Sequence, residues 1–151
     1  MAADAVTAAF QHYADRGVFR GFRATPAARG RVDYEFRWLT RRLMQASFDR
    51  RGVLSFPVLL PGASSAIAAA MRSLVSARST RAVPDHKRVD ARRARLACAS
   101  SKGDFSLSVQ IRGRNQQYAV SKTLNLVNEM FVALHEGHPD YLVEHFGISQ
   151  E

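Results

Sequence analysis

The chain has a single cysteine, Cys98, among 151 residues. One thiol forms no intramolecular disulfide, so the fold has to be held by packing, and a reducing compartment suits it best. No apolar run approaches the ~18 residues that a membrane-crossing helix requires. The opening MAADAVTAAF carries no basic segment ahead of an apolar stretch, unlike a secretory signal. The expectation is a soluble, cytoplasmic protein with no membrane partner. Recognisable chemistry is also scarce. We find no Walker loop, no dinucleotide loop, no nucleophile triad and no paired carboxylates, so the reading leans away from an enzyme and calls for no cofactor and no metal.

Lysine is nearly absent as well. Lys87, Lys102 and Lys122 are the only three, and the other 19 of the 22 basic residues are arginine. With 13 acidic residues the net charge is +9. Arginine and alanine share GC-rich codons, so composition alone accounts for part of this surplus. Its distribution is uneven. The first 122 residues hold all 22 bases against eight acids, or +14, while Thr123 to Glu151 hold five acids and no Lys or Arg. A basic body with an acidic end can pair with itself or with a second copy.

Hydrophobic residues make up 46% of the chain, and its length is that of one domain, expected to span 1–151. Val6, Ala9, Phe10 and Tyr13 mark a first helix over 3–16, ended by Gly17. A strand follows near VFRGFRA. In RVDYEFRWL (31–39), Val32, Tyr34, Phe36 and Trp38 alternate with polar residues, the period of a half-buried antiparallel strand. LMQASF (43–48) and VLSF (53–56) read as further strands joined by a tight turn in which Gly52 takes positive φ. Pro57 and Pro61 are expected to stop the sheet, leaving Val58, Leu59 and Leu60 in a loop. Ser64 caps a second helix through Val75. ARLACAS (94–100) and FSLSVQI (105–111) form a hairpin about Ser101, Lys102 and Gly103. Its alternation puts Cys98 with Leu96 on the apolar side, as a buried structural thiol. A long helix runs from 116 to 136, and a short one from 139 to 146. The fold class is therefore α+β, a mainly antiparallel sheet with helices on one face, in the order α-β-β-β-β-α-β-β-α-α.

The segment HEGHPDYLVEH (135–145) concentrates three of the five histidines with three carboxylates. A zinc site needs ligands that converge. Here Gly137 and Pro139 interrupt any common helix face: His135 falls in the last turn of one helix, His138 at the N-cap of the next, and His145 in its last turn. The segment reads as a helix stop and restart. PGASSA (61–66) has only a superficial likeness to a nucleophile elbow and reads as a helix start.

Two surfaces remain as candidates. The segment 78–95 carries seven Lys/Arg (Arg78, Arg81, Lys87, Arg88, Arg92, Arg93, Arg95) and two Asp. It is either a solvated loop or a phosphate-contacting arm of a nucleic-acid-binding protein. The long helix shows more apolar surface than one stripe needs. Leu126, Met130 and Val132 are therefore expected to form a self-association face.

The layout itself carries a resemblance. The helix DAVTAAFQHYADRG, the strands RVDYEFRWL, LMQASF and VLSF, the helix SSAIAAAMRSLVSA, the strands RLACAS and FSLSVQI, and the long helix YAVSKTLNLVNEMFVALHE together resemble the type III secretion chaperones. That resemblance covers nearly the whole chain and implies a small homodimer that binds another protein along its surface, with no nucleotide or metal. Those chaperones are typically acidic, whereas this chain is basic. The leading expectation is a non-enzymatic, dimeric, chaperone-like protein-binding module; the alternative is nucleic-acid binding through 78–95.

Overall fold

A computed structural model describes residues 2–38 and 42–148. It shows the α+β fold in the expected order. Helix α1 spans Ala2–Asp15, followed by strands β1 (Arg20–Pro26), β2 (Val32–Arg37), β3 (Leu43–Phe48) and β4 (Val53–Leu60). Helix α2 (Ser65–Ala77) precedes strands β5 (Ala94–Ser101) and β6 (Asp104–Ile111). Helices α3 (Gln116–Gly137) and α4 (Pro139–Phe146) close the chain. The expected first strand begins two residues later than VFRGFRA, and Leu39 of the expected second strand lies outside the described residues.

The six strands form one antiparallel sheet in the order β1-β2-β3-β4-β6-β5. The alternation in β2 works as expected. Tyr34 and Phe36 are buried on the helix side, while Asp33, Glu35 and Arg37 face the open side. In register with them, Met44 and Ala46 of β3 are buried, and Gln45 and Ser47 are not. Leu54 and Phe56 of β4 meet Val109 and Leu107 of β6 on the same buried side. Among the described residues the buried apolar side chains form one contiguous core.

Local signals place the turns. The Ser64 hydroxyl accepts from the Ile67 amide at 3.2 Å and caps α2. The Asp49 carboxylate accepts from the amides of Arg51 (2.9 Å) and Val53 (3.1 Å), which folds the chain back at Gly52, φ 82°. Lys102 and Gly103, φ 53° and 84°, form the two-residue turn between β5 and β6.

Two expectations are corrected. Pro57 does not end its strand: β4 runs on to Leu60, with a register shift between Phe56 and Leu60 that accommodates the proline. Leu59 and Leu60 are consequently core residues, and only Val58 is exposed. The second concerns α3. Leu126 and Met130 are 0% exposed, enclosed by the chain's own sheet and helices; of the expected self-association face only Val132 reaches the surface. The surplus of apolar residues on α3 exists because α1, α2, β6 and α4 all pack on it. A Met130→Asp change would bury a charge rather than split a dimer.

Candidate interaction surfaces

The histidine segment divides as its glycine and proline dictate. His138 separates α3 from α4, and Gly147, φ 65°, ends α4 by donating to the Val143 carbonyl. His145 lies against the Tyr141 ring, with centroids 4.5 Å apart, and so close to Gly62 that a Cβ there would come within 2.8 Å of it. Tyr141 donates to the Pro61 carbonyl at 2.6 Å, and burial raises its pKa above the ordinary tyrosine range. These contacts dock α4 on the end of β4. Among the described residues no group of three or more His, Cys, Asp or Glu is placed to hold a metal ion.

The segment 78–95 does not behave as one basic arm. Arg78 is 2% exposed, and its guanidinium meets the Glu129 carboxylate of α3 at 2.6 Å, so it is a structural cation and not a phosphate contact. Lys87 binds the other oxygen of Glu129, also at 2.6 Å. The Lys87 bond is the main reason that the Glu129 pKa lies below the ordinary carboxylate range, with Arg78 adding to it. Arg88 staples its own loop, pairing with Asp85 at 2.8 Å and donating to the carbonyls of Thr80 (2.9 Å) and Val83 (3.1 Å). Arg81 is exposed. Arg95 lies inside β5, beside the groove against α2, and only Arg92 and Arg93 reach the place where the fold gathers charge.

That place is one end of the sheet. In an antiparallel meander every second connection falls at the same end. Pairing of Val32 with Phe48, and of Val53 with Gln110, puts the β1–β2 connection beside the β3–β4 turn and the end of β6. Pairing of Ala94 with Ile111 adds the start of β5. The first connection contributes Arg29 and Arg31, and the second Arg50 and Arg51. The start of β5 contributes Arg92 and Arg93, and the loop into α3 Arg112 and Arg114. Contacts run along the whole rim. A Cβ on Gly30 would come within 3.0 Å of the Arg50 side chain. The Gln110 side-chain amide donates to the Arg51 carbonyl at 2.8 Å, and the Arg112 amide to the Arg93 carbonyl at 3.0 Å.

Eight arginines thus share this rim with three carboxylates. Asp33 pairs with Arg31 at 3.0 Å and Asp90 with Arg92 at 3.2 Å, while Asp49 is engaged with backbone amides. The Arg92 hydrogen bond is the first cause of a lowered Asp90 pKa. Among the described residues the other six arginines form no ion pair, although the charge of Arg93 adds to the lowering of Asp90. Arg93 is held in place nonetheless: its guanidinium lies 3.5 Å over the Tyr118 ring and donates to the Asn115 side chain at 2.8 Å. Sequence reading missed Arg29, Arg31, Arg50, Arg51, Arg112 and Arg114 because their proximity comes from strand order, not from nearness in the chain. The paired turns about Gly30 and Gly52 were the available clue.

The second surface is an edge. The two outer strands differ in how they are finished. β1 carries a register shift between Arg20 and Arg23, a glycine at φ 65°, two exposed arginines and a terminal proline. These are the devices that keep sheet edges from pairing. β5 has none of them from Leu96 to Ser101: its register with β6 is unbroken over eight residues, and that stretch is uncharged. The Arg93 carbonyl faces β6, so by alternation Leu96, Cys98 and Ser100 point their amides and carbonyls away from the sheet. Cys98, expected to be buried, is half-exposed because it sits on this outer strand. A groove of about 410 Å³ between β5 and the flank of α2 follows the edge, lined by Arg72, Ser76, Ser79, Leu96 and Cys98.

The open face of the sheet holds a broader depression of about 600 Å³ among Arg23, Asp33, Glu35, Gln45 and Ser47. Both its carboxylates are engaged by arginine, Glu35 by Arg23 and Asp33 by Arg31. No family model, no curated protein and no solved structure matches the chain.

Proposed function

We propose that the protein is a non-enzymatic interaction module that self-associates through β5. The unprotected β5 edge is the observation that carries this reading. The layout's resemblance to type III secretion chaperones implies the same kind of protein, a homodimer that presents its surface to another chain.

The edge supports pairing with a second copy on geometric grounds. A two-fold axis normal to a continuous sheet keeps each side chain on its own face, so facing residue numbers must differ by an even number. One residue then lies opposite itself. Placing Cys98 on the axis sets Leu96 against Ser100 of the second copy, and every outward amide and carbonyl from 96 to 100 finds a partner. Placing Ala97 there instead engages Ala94, whose amide is already bonded to the Asp90 carbonyl at 3.0 Å. The Cys98 register also avoids opposing like charges.

Light scattering across a size-exclusion peak, at tens of micromolar chain, is expected to give the mass of a dimer. Ser100→Pro removes an outward amide without touching the β5–β6 ladder and is expected to give a folded monomer. Copper–phenanthroline oxidation is expected to cross-link the wild type through Cys98, since facing Cα atoms about 5.5 Å apart lie within disulfide reach. Cys98→Ser should remain a dimer and lose the cross-link. A monomeric wild type, or a Ser100→Pro variant that stays dimeric, would refute the assignment.

A further inference from the structure

We infer that the arginine rim is a binding surface for the phosphate backbone of nucleic acid, read without regard to base sequence. The inference does not depend on β5 pairing. A two-fold at β5 sends the two rims to opposite ends of the joint sheet, so each chain carries a whole rim by itself.

Three observations select this partner. The first is charge in register. From the β1–β2 connection to β5 the rim crosses four to five strand spacings, about 20 Å. That length of duplex axis carries about six phosphates on each strand. The rim offers six arginines that form no ion pair among the described residues: Arg29, Arg50, Arg51, Arg93, Arg112 and Arg114. The second is chemistry. The guanidinium fork matches phosphate oxygens, and Arg93 is already oriented by Tyr118 and Asn115. The third is what surrounds the rim. The exposed large apolar residues Val18, Leu43, Val58, Val132 and Val143 all lie away from this end. Among the described residues the rim therefore has no wedge for a lipid surface and no apolar pocket for an acidic peptide. Nor does it present a free aromatic face for base stacking, since Arg93 covers Tyr118; this favours the backbone over the bases.

The experiment is fluorescence anisotropy with a labelled 20-base-pair duplex and a 20-nucleotide single strand, each in two unrelated sequences, from 50 to 200 mM salt. Binding is expected to be indifferent to sequence and to fall steeply with salt. Arg51 and Arg114 make no side-chain hydrogen bond or ion pair among the described residues. The Arg51→Ala/Arg114→Ala double variant should keep its melting temperature, weaken binding about tenfold at 100 mM salt, and flatten the log–log salt slope by about 2. Arg16→Ala/Arg20→Ala removes the same charge from the opposite end of the sheet and should bind as the wild type does. Absence of binding at 50 mM salt would overturn the inference, and so would equal losses in the two double variants. Phosphatidylserine vesicles or polyglutamate bound as tightly as the duplex would overturn nucleic acid as the partner.

Discussion

The two sides of the sheet are held to their helices by different physics. Under β1 and β2 the contact with α1 is aromatic. Phe10 lies 4.9 Å from Tyr34, 5.6 Å from Phe36 and 6.0 Å from Phe22, while Phe19 lies 4.4 Å from Phe36. On the β5 side, the loop that follows α2 is tied to α3 by ions, with Glu129 bridging Arg78 and Lys87. Aromatic packing depends on shape and buried area and responds little to pH or salt. A half-buried carboxylate between two cations depends on both. The β5 side is also the side with the unfinished edge. The half with the finished edge is thus the one packed by aromatic rings, and the half with the unfinished edge is the one tied by ions.

The largest break in this contrast is expected at Phe36. Its ring is fully buried among Phe10, Phe19 and Phe22. Phe36→Ala removes that contact area and leaves a cavity, at a cost of about 4 kcal/mol. Urea unfolding followed by circular dichroism measures it. Because the loss is one of packing, it should be the same at pH 4 and pH 7.

Next comes Glu129. Glu129→Gln leaves the Arg78 guanidinium buried without its counter-charge, a change of the kind that costs about 3 kcal/mol. Its pH dependence is the diagnostic. The folded-state pKa lies below the ordinary carboxylate range, first because of the Lys87 hydrogen bond. A depressed carboxylate contributes stability that is fully present above its unfolded pKa and is lost as pH falls through the folded one. The wild type should therefore outlast Glu129→Gln at pH 7, and the gap should shrink steadily below about pH 4.5. Asp90, lowered by Arg92, titrates in the same direction but is present in both proteins and cancels in the difference. A gap that did not change with pH would mean that the pair contributes shape and not charge.

This contrast was half legible in the sequence. Period-two alternation in RVDYEFRWL placed Tyr34, Phe36 and Trp38 in the core, because a half-wet antiparallel strand writes its faces directly into its residues. The turns at Gly52 and Gly103 were legible for the same local reason: their backbones require positive φ. What failed was long-range. Arg78 read as one base among seven, since nothing near it in the chain announces Glu129, 51 residues away. Leu126 and Met130 read as surplus, since one helix cannot reveal how many neighbours will pack on it. The arginine rim was invisible for the same reason. Four separate connections share an end only once strand order is known, and that order includes the crossing that seats β6 between β4 and β5.

The smallest effect sharpens the comparison from the aromatic side, at a polar tie between α1 and β2. The Tyr34 and Thr7 hydroxyls are 2.7 Å apart, joining β2 to α1. Tyr34→Phe keeps the ring and loses the bond, at a cost of about 1 kcal/mol. Neither group is ionised near neutral pH, so from pH 4 to pH 9 this cost should be flat where that of Glu129→Gln is not. Above the ordinary tyrosine range the sign reverses. Burial, the first cause, raises the Tyr34 pKa in the fold, so the unfolded chain loses the proton first. The contribution is then present below about pH 10 and declines as pH rises toward the folded value. The gap between wild type and Tyr34→Phe should narrow there, measured by the same urea titrations. A gap that instead closes in acid, as that of Glu129 does, would mean that the α1 side also leans on charge, and the division between an aromatic half and an ionic half would fall.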